Sequence, residues 1–345
     1  MLSKRKRDIT MQAVLQDAPG KEDTLYVGTT DIPQPTGDEV LIRVCTSALN
    51  QMDLLQCKGL YPVPAGASKI LGVEAAGFVE KVGADVTKFK VGDRVMALLQ
   101  GGGYAQYALS YECMTMHAPT GLDMNQLASI PEQWITAYQL LFKIARVQSG
   151  ESVLLHAASS GVGQAAIQLA KANGLKVFVS CRSDDKVACC LALGADAGFN
   201  LKEDTNFADK VKAANGDKGV DVILDPVGAS YCSENINSCA MDARWVLYGL
   251  MGGKSVHDDM YLGRMMGKRI SLLPSTLRGR PKAYKDELIR SFERDVIPRF
   301  LSGEYRVQIS SVHAMTTDGV QAAHRTMAGH QNIGKIVLTV AEESV

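Results

Sequence analysis

Residues 154–164 read LLHAASSGVGQ. An apolar run enters small residues and a helix-like run follows, the layout of a loop that holds a dinucleotide pyrophosphate. In G-x-G-x-x-G the first glycine permits the tight turn and the second lets backbone approach the pyrophosphate. The third packs helix against strand. Ala158, Ser160 and Gly163 fill those slots, with Gly161 and Val162 between the last two. Ala and Ser are the next smallest side chains, and Ser160 adds a hydroxyl donor for phosphate oxygens. The helix N-terminus after Gly161 supplies backbone N–H groups and a favourable dipole. An ordinary strand-to-helix turn would read the same way from this stretch alone.

The end of the next strand bears on which dinucleotide is held. An NAD site expects Asp or Glu there, accepting from the ribose 2′-OH. The chain instead has Ser180, Cys181, Arg182 and Ser183, with Lys186 one turn on. Asp184 and Asp185 fall beyond the strand, where capping a helix suits them. Two cations without the acid suit a 2′-phosphate, so NADPH is favoured over NADH. The alternative at Arg182 is a plain surface charge.

These residues need an alternating scaffold, and the pattern after residue 123 supplies one. Residues 123–145 look helical, with a break at Pro131 and apolar residues at three- and four-residue spacing. Strands then fit 152–157, 176–181, 220–225, 244–250 and 269–275, with helices over 163–173, 184–193 and 207–215. Alternation of this kind predicts right-handed βαβ units and a parallel sheet covered on both faces. Before residue 123 the chain reads as short strands between Gly and Pro turns, at 40–49, 74–83, 92–99 and after the loop at 101–109. That spacing predicts a small β-barrel or sandwich. A helix over 284–300 leads to strand-like residues ending at 334–340, which are expected to return to the first domain. The expected division is a tail at 1–10, a barrel domain at 11–124 and 299–345, and a dinucleotide domain at 125–298.

Composition excludes several classes. The 345 residues suffice for two domains of about 100–200 residues each. Lys plus Arg and Asp plus Glu both number 37, so the chain lacks the positive surplus of a dedicated nucleic-acid or membrane-surface binder. No apolar run approaches the ~20 residues that span a bilayer. The cluster SKRKR at Ser3 to Arg7 has no apolar stretch behind it and is not a secretory signal. It reads as a solvated tail, with a nuclear address as the alternative. The eight cysteines form no C-x-x-C pair, so reduced thiols in the cytoplasm are expected rather than a disulfide framework or a zinc cluster.

At this point the chain resembles the medium-chain dehydrogenase/reductases, and within them the zinc-free quinone oxidoreductase, or zeta-crystallin, group. GESVLLHAASSGVGQAAIQLAK (150–171) follows that group's signature, with Ser160 replacing the first Gly of a usual Gly-Gly pair. SALNQMDLLQCKGLYPVPAGASKILGVEAAG, IPEQWITAYQLL, VILDPVG and RWVLYGLMGG match as well. The resemblance implies a GroES-like β-barrel catalytic domain, a Rossmann domain, and an active site in the cleft between them. Zinc-dependent relatives place a Cys and a His ligand where this chain has Asn50 and Val73, and their four-Cys lobe is missing. Neither side chain offers the ligand zinc prefers, so no metal is expected. Alcohol oxidation without zinc would face a hydroxyl of pKa near ~16. A quinone or activated enone already carries an electrophilic conjugated carbonyl and needs only a hydrogen bond or proton donor at oxygen.

The resemblance also implies site residues. Asn50 and Tyr61 would line the nicotinamide pocket, with Tyr61 a candidate donor to the substrate oxygen. Asp53, one turn from Asn50, either joins them or only caps and positions the loop. Thr136 would meet the phosphates or nicotinamide, Gly249, Leu250 and Met251 would run beside the ring, and Ser275, Leu277 and Asn332 would complete the pocket. Leu201 stands where the group commonly has Tyr, and Arg182 could compensate for the contact. The implied activity is NADPH-dependent quinone reduction, with one- or two-electron transfer left open. Enoyl-thioester or alkenal reduction is the alternative, and a crystallin-like or RNA-binding protein without turnover lies further off. The Rossmann strand beginning at residue 269 would be an edge, which relatives pair across a two-fold axis, so a homodimer is expected.

Overall fold

The computed structural model describes residues 9–343. The basic cluster at Ser3 to Arg7, and with it most of the expected tail, therefore lies outside the described residues, and the first described strand begins at Thr10. Two compact units form: one runs to Glu132 and resumes at Arg278, and the other is Gln133–Leu277.

The first unit opens with β1 (Thr10–Leu15) and β2 (Tyr26–Asp31), an antiparallel pair. Then come β3 (Glu39–Ala48), α1 (Gln51–Cys57), β4 (Glu74–Val82), β5 (Arg94–Leu98), β6 (Tyr107–Tyr111) and β7 (Thr115–His117). β3 is the hub, paired antiparallel with both β4 and β6. Val40, Ile42 and Val44 of β3, Ala75 and Val79 of β4, and Val95 and Ala97 of β5 share one core. α2 (Met124–Ala128) follows, its first turn closed when Gln126 N–H donates to the Asp123 carboxylate at 2.8 Å. α3 (Pro131–Tyr138) begins after the expected break and continues into a π-type turn over Gln139–Ile144.

In the second unit strand and helix alternate as β8 (Ser152–His156), α4 (Gly161–Ala172), β9 (Lys176–Cys181), α5 (Asp184–Ala192), β10 (Ala197–Asn200), α6 (Ala208–Ala214), β11 (Val220–Asp225), α7 (Cys232–Ser238), β12 (Cys239–Leu247), α8 (Tyr261–Lys268) and β13 (Ser271–Pro274). The six strands form one parallel sheet in the order β10-β9-β8-β11-β12-β13. The chain winds outward from β8 in one direction, then returns to β11 and winds the other way. This is the doubly wound Rossmann arrangement, with its switch point between β8 and β11. The strands are near-continuous apolar runs because both faces are covered, and Leu154, Phe178, Ile223 and Trp245 lie in one core.

The chain then re-enters the first unit through α9 (Lys282–Asp295), α10 (Ile297–Leu301), β14 (Ile309–Ala314), α11 (Thr317–Ala328) and β15 (Lys335–Thr339). β15 pairs antiparallel with β3, which closes that unit from two separated segments. The return comes earlier than the expected residue 299, because α9 is tied to the first unit. Lys285 is buried and donates to the Arg278 carbonyl at 2.7 Å, and Lys88 pairs with Glu293 at 3.2 Å.

Candidate functional site

The carboxyl ends of parallel strands are where such sheets bind ligands. That edge gathers most of the residues expected to hold a dinucleotide. Ala157 to Ser160 leave β8, and Ser160 caps α4, its Oγ accepting from Gly163 N–H at 3.2 Å. The hydroxyl proton stays available to donate outward. A Cβ on Gly163 would lie 2.4 Å from the Ala158 carbonyl oxygen and 2.5 Å from its Cα, so this position performs the packing task of the third glycine. The tight turn itself falls one residue before the slot assigned to it: Ala157, not Ala158, is left-handed, at φ 50°. An L-residue there costs roughly 1–2 kcal/mol.

At the end of β9, Arg182 is exposed and has no acidic partner among the described residues. Burial, and then the nearby Arg182 charge, pull the Lys186 ammonium below its ordinary value, which places the two cations together. Ser183 is the residue that caps α5, its Oγ accepting from Lys186 N–H at 3.4 Å. Asp184 instead accepts from Asn200 Nδ2 at 2.9 Å, so the cap expected of Asp184 or Asp185 belongs to Ser183.

Ser180 points into a buried network rather than outward. Its Oγ is bonded to His156 Nδ1 at 2.7 Å, and His156 Nε2 to Asn235 Oδ1 at 2.7 Å. Asn235 and the Trp245 indole each donate to Asp225 Oδ2 at 3.0 Å, while Asp225 Oδ1 accepts from Val227 and Gly228 N–H. Burial lowers the His156 pKa, keeping the ring neutral between two polar partners. The network cross-links β8, β9, β11 and β12 beneath the switch point.

Gly249, Leu250 and Met251 follow β12. A Cβ at Gly249 would sit 2.6 Å from the Pro226 carbonyl oxygen, so only glycine fits. Leu250 and Met251 are exposed, and Ser275 and Leu277 are buried after β13. The Ser275 hydroxyl, 6% exposed, has no hydrogen-bond partner, an unusual state for a buried polar group. Thr136 lies half-buried on α3. Asn332 belongs to the first unit and donates to the Gly334 carbonyl at 2.8 Å, a local turn contact.

The first unit holds a separate cluster of ionisable groups. Asn50 caps α1, and Asp53 accepts from Asn50 N–H at 2.8 Å and Gly72 N–H at 3.0 Å. Both carboxylate oxygens are thus taken, with 1% exposure, and the geometry gives Asp53 the capping task. Burial lifts its pKa to about 6 against those two N–H bonds. Asn50 Nδ2 donates to Glu74 at 2.9 Å and Asn50 Oδ1 accepts from Lys335 Nζ at 2.7 Å. Lys335 and Glu74, both buried, pair at 2.5 Å. Val73 is buried and carries no donor atom.

Glu74, Lys335, Arg278 and Glu132 were not singled out by residue type alone. Glu132 N–H donates to Glu74 Oε2 at 2.7 Å. Burial, then the Glu74 charge, raises the Glu132 carboxyl to about 7 despite Lys335 and Arg278. The Arg278 guanidinium carbon lies 5.7 Å from the Tyr61 ring centre, and its nitrogens donate to Gln56 and to the Gln100 carbonyl. Burial, then Glu132, pushes the Tyr61 hydroxyl above its ordinary value, so it is a proton donor at neutral pH. Among the described residues no group of three or more His, Cys, Asp or Glu could hold a metal ion. No described helix is long and apolar enough to cross a membrane.

A doubly wound sheet with a capped glycine-poor loop, joined in sequence to a barrel-like unit, defines a nicotinamide-dependent oxidoreductase fold. The comparisons agree. Residues 36–135 match the alcohol dehydrogenase GroES-like domain, and residues 161–294 match the zinc-binding dehydrogenase domain. Rat quinone oxidoreductase is 37% identical over 227 residues, covering 66% of this chain and 69% of the rat protein. The quinone oxidoreductase of Pseudomonas syringae pv. tomato DC3000 superposes with a TM-score of 0.84 at 27% identity, covering 96% of this chain and all of that one. CurK enoyl reductase gives 0.83 at 26% identity, over 96% of this chain and 99% of its own. The chain belongs to the medium-chain dehydrogenase/reductase superfamily, with quinone oxidoreductases among its relatives.

Proposed function

We propose that the protein reduces quinones with NADPH. The observation that carries the cofactor choice is the acid-free end of β9, where Arg182 and Lys186 stand together beside the Ser160-capped helix. Ser160, Gly161, Val162 and Gly163 would hold the pyrophosphate, and the two cations with Ser183 would meet the 2′-phosphate. The partnerless Ser275 hydroxyl fits a polar group of the nicotinamide end, near the Gly249 to Met251 backbone. When bound, the dinucleotide supplies a hydride. Tyr61 keeps its proton and can donate a hydrogen bond to a substrate oxygen. Glu132, near half-protonated at neutral pH, holds a proton within electrostatic reach of Tyr61. Burial, and after it the neighbouring Glu74 carboxylate, raises the Glu132 carboxyl, while Asn50 and Lys335 hold Glu74 in place. The residues at the two metal-ligand positions of zinc-dependent relatives offer nothing for zinc: Asn50 is committed to Glu74 and Lys335, and Val73 is apolar.

The similarity to CurK enoyl reductase favours a second reading, reduction of an enoyl thioester by the same cofactor. Turnover of 1,4-naphthoquinone beside a 2-enoyl thioester, each with NADPH and NADH, tests both. Faster use of the thioester would displace the quinone reading. We further propose a homodimer through the open edge of β13. The neighbouring helix α8 leaves Leu262 75% and Met266 79% exposed. A monomer by analytical ultracentrifugation would refute it. None of the eight cysteines is in a disulfide, which fits the proposed location in the reducing cytoplasm.

A further inference from the structure

Cys181 ends β9 and Cys190 lies on α5, and their sulfur atoms are 3.7 Å apart. Both are buried, and the ten-residue segment they bracket carries Arg182, Ser183 and Lys186. A disulfide needs sulfurs near 2.05 Å, so each would move by about 0.8 Å. We infer that Cys181 and Cys190 form a dithiol that a hydroperoxide oxidises to a disulfide, and that this closure weakens cofactor binding. The effect on the cofactor rests on the assignment of Arg182 and Lys186 to the 2′-phosphate.

The two thiols are not equivalent. Cys181, at the strand end, is 4% exposed, whereas Cys190 is fully enclosed at 0%. The more accessible Cys181 is therefore the attacking thiol and Cys190 the resolving thiol. Cys181 attacks one peroxide oxygen and breaks the O–O bond; its sulfur becomes a sulfenic acid and the peroxide is reduced to water or an alcohol. Cys190 then forms the S–S bond and gives up its proton, and the sulfenic oxygen leaves as water. A thiol reductant returns both sulfurs to thiols. The new bond pulls α5 toward the end of β9, moving the turn that carries Arg182 and the first turn of α5 that carries Lys186. Cys189, the adjacent thiol, is held elsewhere: Gln164 Nε2 lies 3.8 Å from its sulfur.

The test oxidises the full-length protein with hydrogen peroxide, maps disulfides by peptide mass analysis without reduction, and titrates NADPH and NADH by fluorescence. A Cys181–Cys190 linkage is expected, together with at least fivefold weaker NADPH binding that dithiothreitol restores. Cys190→Ala should stop at a Cys181 sulfenic acid trapped by dimedone. That variant's thermal melt checks that it folds, and the wild-type mapping does not depend on it. No linkage, a Cys189–Cys190 linkage in its place, or a linkage that leaves both cofactor affinities unchanged would overturn the inference. Failure of the NADPH assignment would show separately, as equal binding of the two cofactors by the reduced protein.

Discussion

Replacing Arg182 and Lys186 together with alanine separates a 2′-phosphate site from a general anionic surface. Charge-assisted hydrogen bonds contribute about 1.5–3 kcal/mol when shielded, but exposed ion pairs only about 0.2–1 kcal/mol. Arg182 is exposed and belongs near the lower figure, whereas Lys186 is partly buried and belongs nearer the upper. Their joint loss should therefore weaken NADPH by about 2–3 kcal/mol, a rise of roughly 30- to 150-fold in KM. NADH lacks the phosphate and should change by no more than about twofold. The reversal is also informative: Arg182→Asp should improve NADH relative to wild type by supplying the missing acceptor for the ribose hydroxyl. Steady-state kinetics with one quinone held saturating give both cofactors' KM from the same preparation. Because Arg182 lies on the turn and Lys186 in the first turn of α5, neither of them in the sheet, the thermal melt should stay within about a degree of wild type. Equal losses for NADPH and NADH would refute the assignment, since they would show that the cations act on something both cofactors share.

Four more perturbations follow from named contacts. Gly163→Ala drives a methyl into the Ala158 backbone and should lower stability by about 1–3 kcal/mol or more while weakening both cofactors equally, read by urea denaturation and fluorescence titration. Ala157→Gly relieves the left-handed strain and should raise stability by about 1 kcal/mol; a lower melting temperature would contradict the turn geometry. Lys335→Met strands a buried Glu74 and should cost about 3–5 kcal/mol, most of it recovered when Glu74→Gln is added. Glu132→Gln tests the raised carboxyl by its pH dependence. The folded value of about 7 lies above the ordinary 4.5, so the stabilisation is complete below about pH 4.5 and is lost as pH rises through about 7. Wild type should lose about 3 kcal/mol relative to Glu132→Gln over that range, and parallel stability profiles would show that the carboxyl is not shifted.

The Rossmann half was legible because its signals are local. Apolar runs such as Val153 to Leu155 and Val222 to Leu224 are buried on both faces, so their period and length declare them. β10 and α8 were less so: Ala197–Asn200 is four residues with a glycine, and Tyr261–Lys268 includes two glycines that weaken helical propensity. The Ser160 cap could be read at fixed spacing, yet the left-handed turn settled on Ala157 because backbone geometry, not side-chain size, selects the turning residue. Asp53 was ambiguous in sequence and is resolved by one contact outside its own helix, Gly72 N–H, nineteen residues away.

The ionisable cluster shows where such reading ends. A glutamate in sequence defaults to a solvated surface, and Glu132 departs from that because it is buried at the start of α3, where Glu74, 58 residues earlier, accepts its backbone N–H and adds a like charge. Glu74 in turn can be buried only because Lys335 arrives on β15, the strand that the last segment lays beside β3. Asn50 connects the two, its amide donating to the carboxylate and accepting from the ammonium. A cysteine at position 50 would fill both roles poorly, since a thiol is a weak donor and a weak acceptor. The departure from the zinc-ligand pattern at that position is therefore more than the loss of a ligand. It installs the bridge that lets a buried ion pair stand beside Glu132, and the charge of that pair's carboxylate is what helps hold a proton on Glu132 near neutral pH.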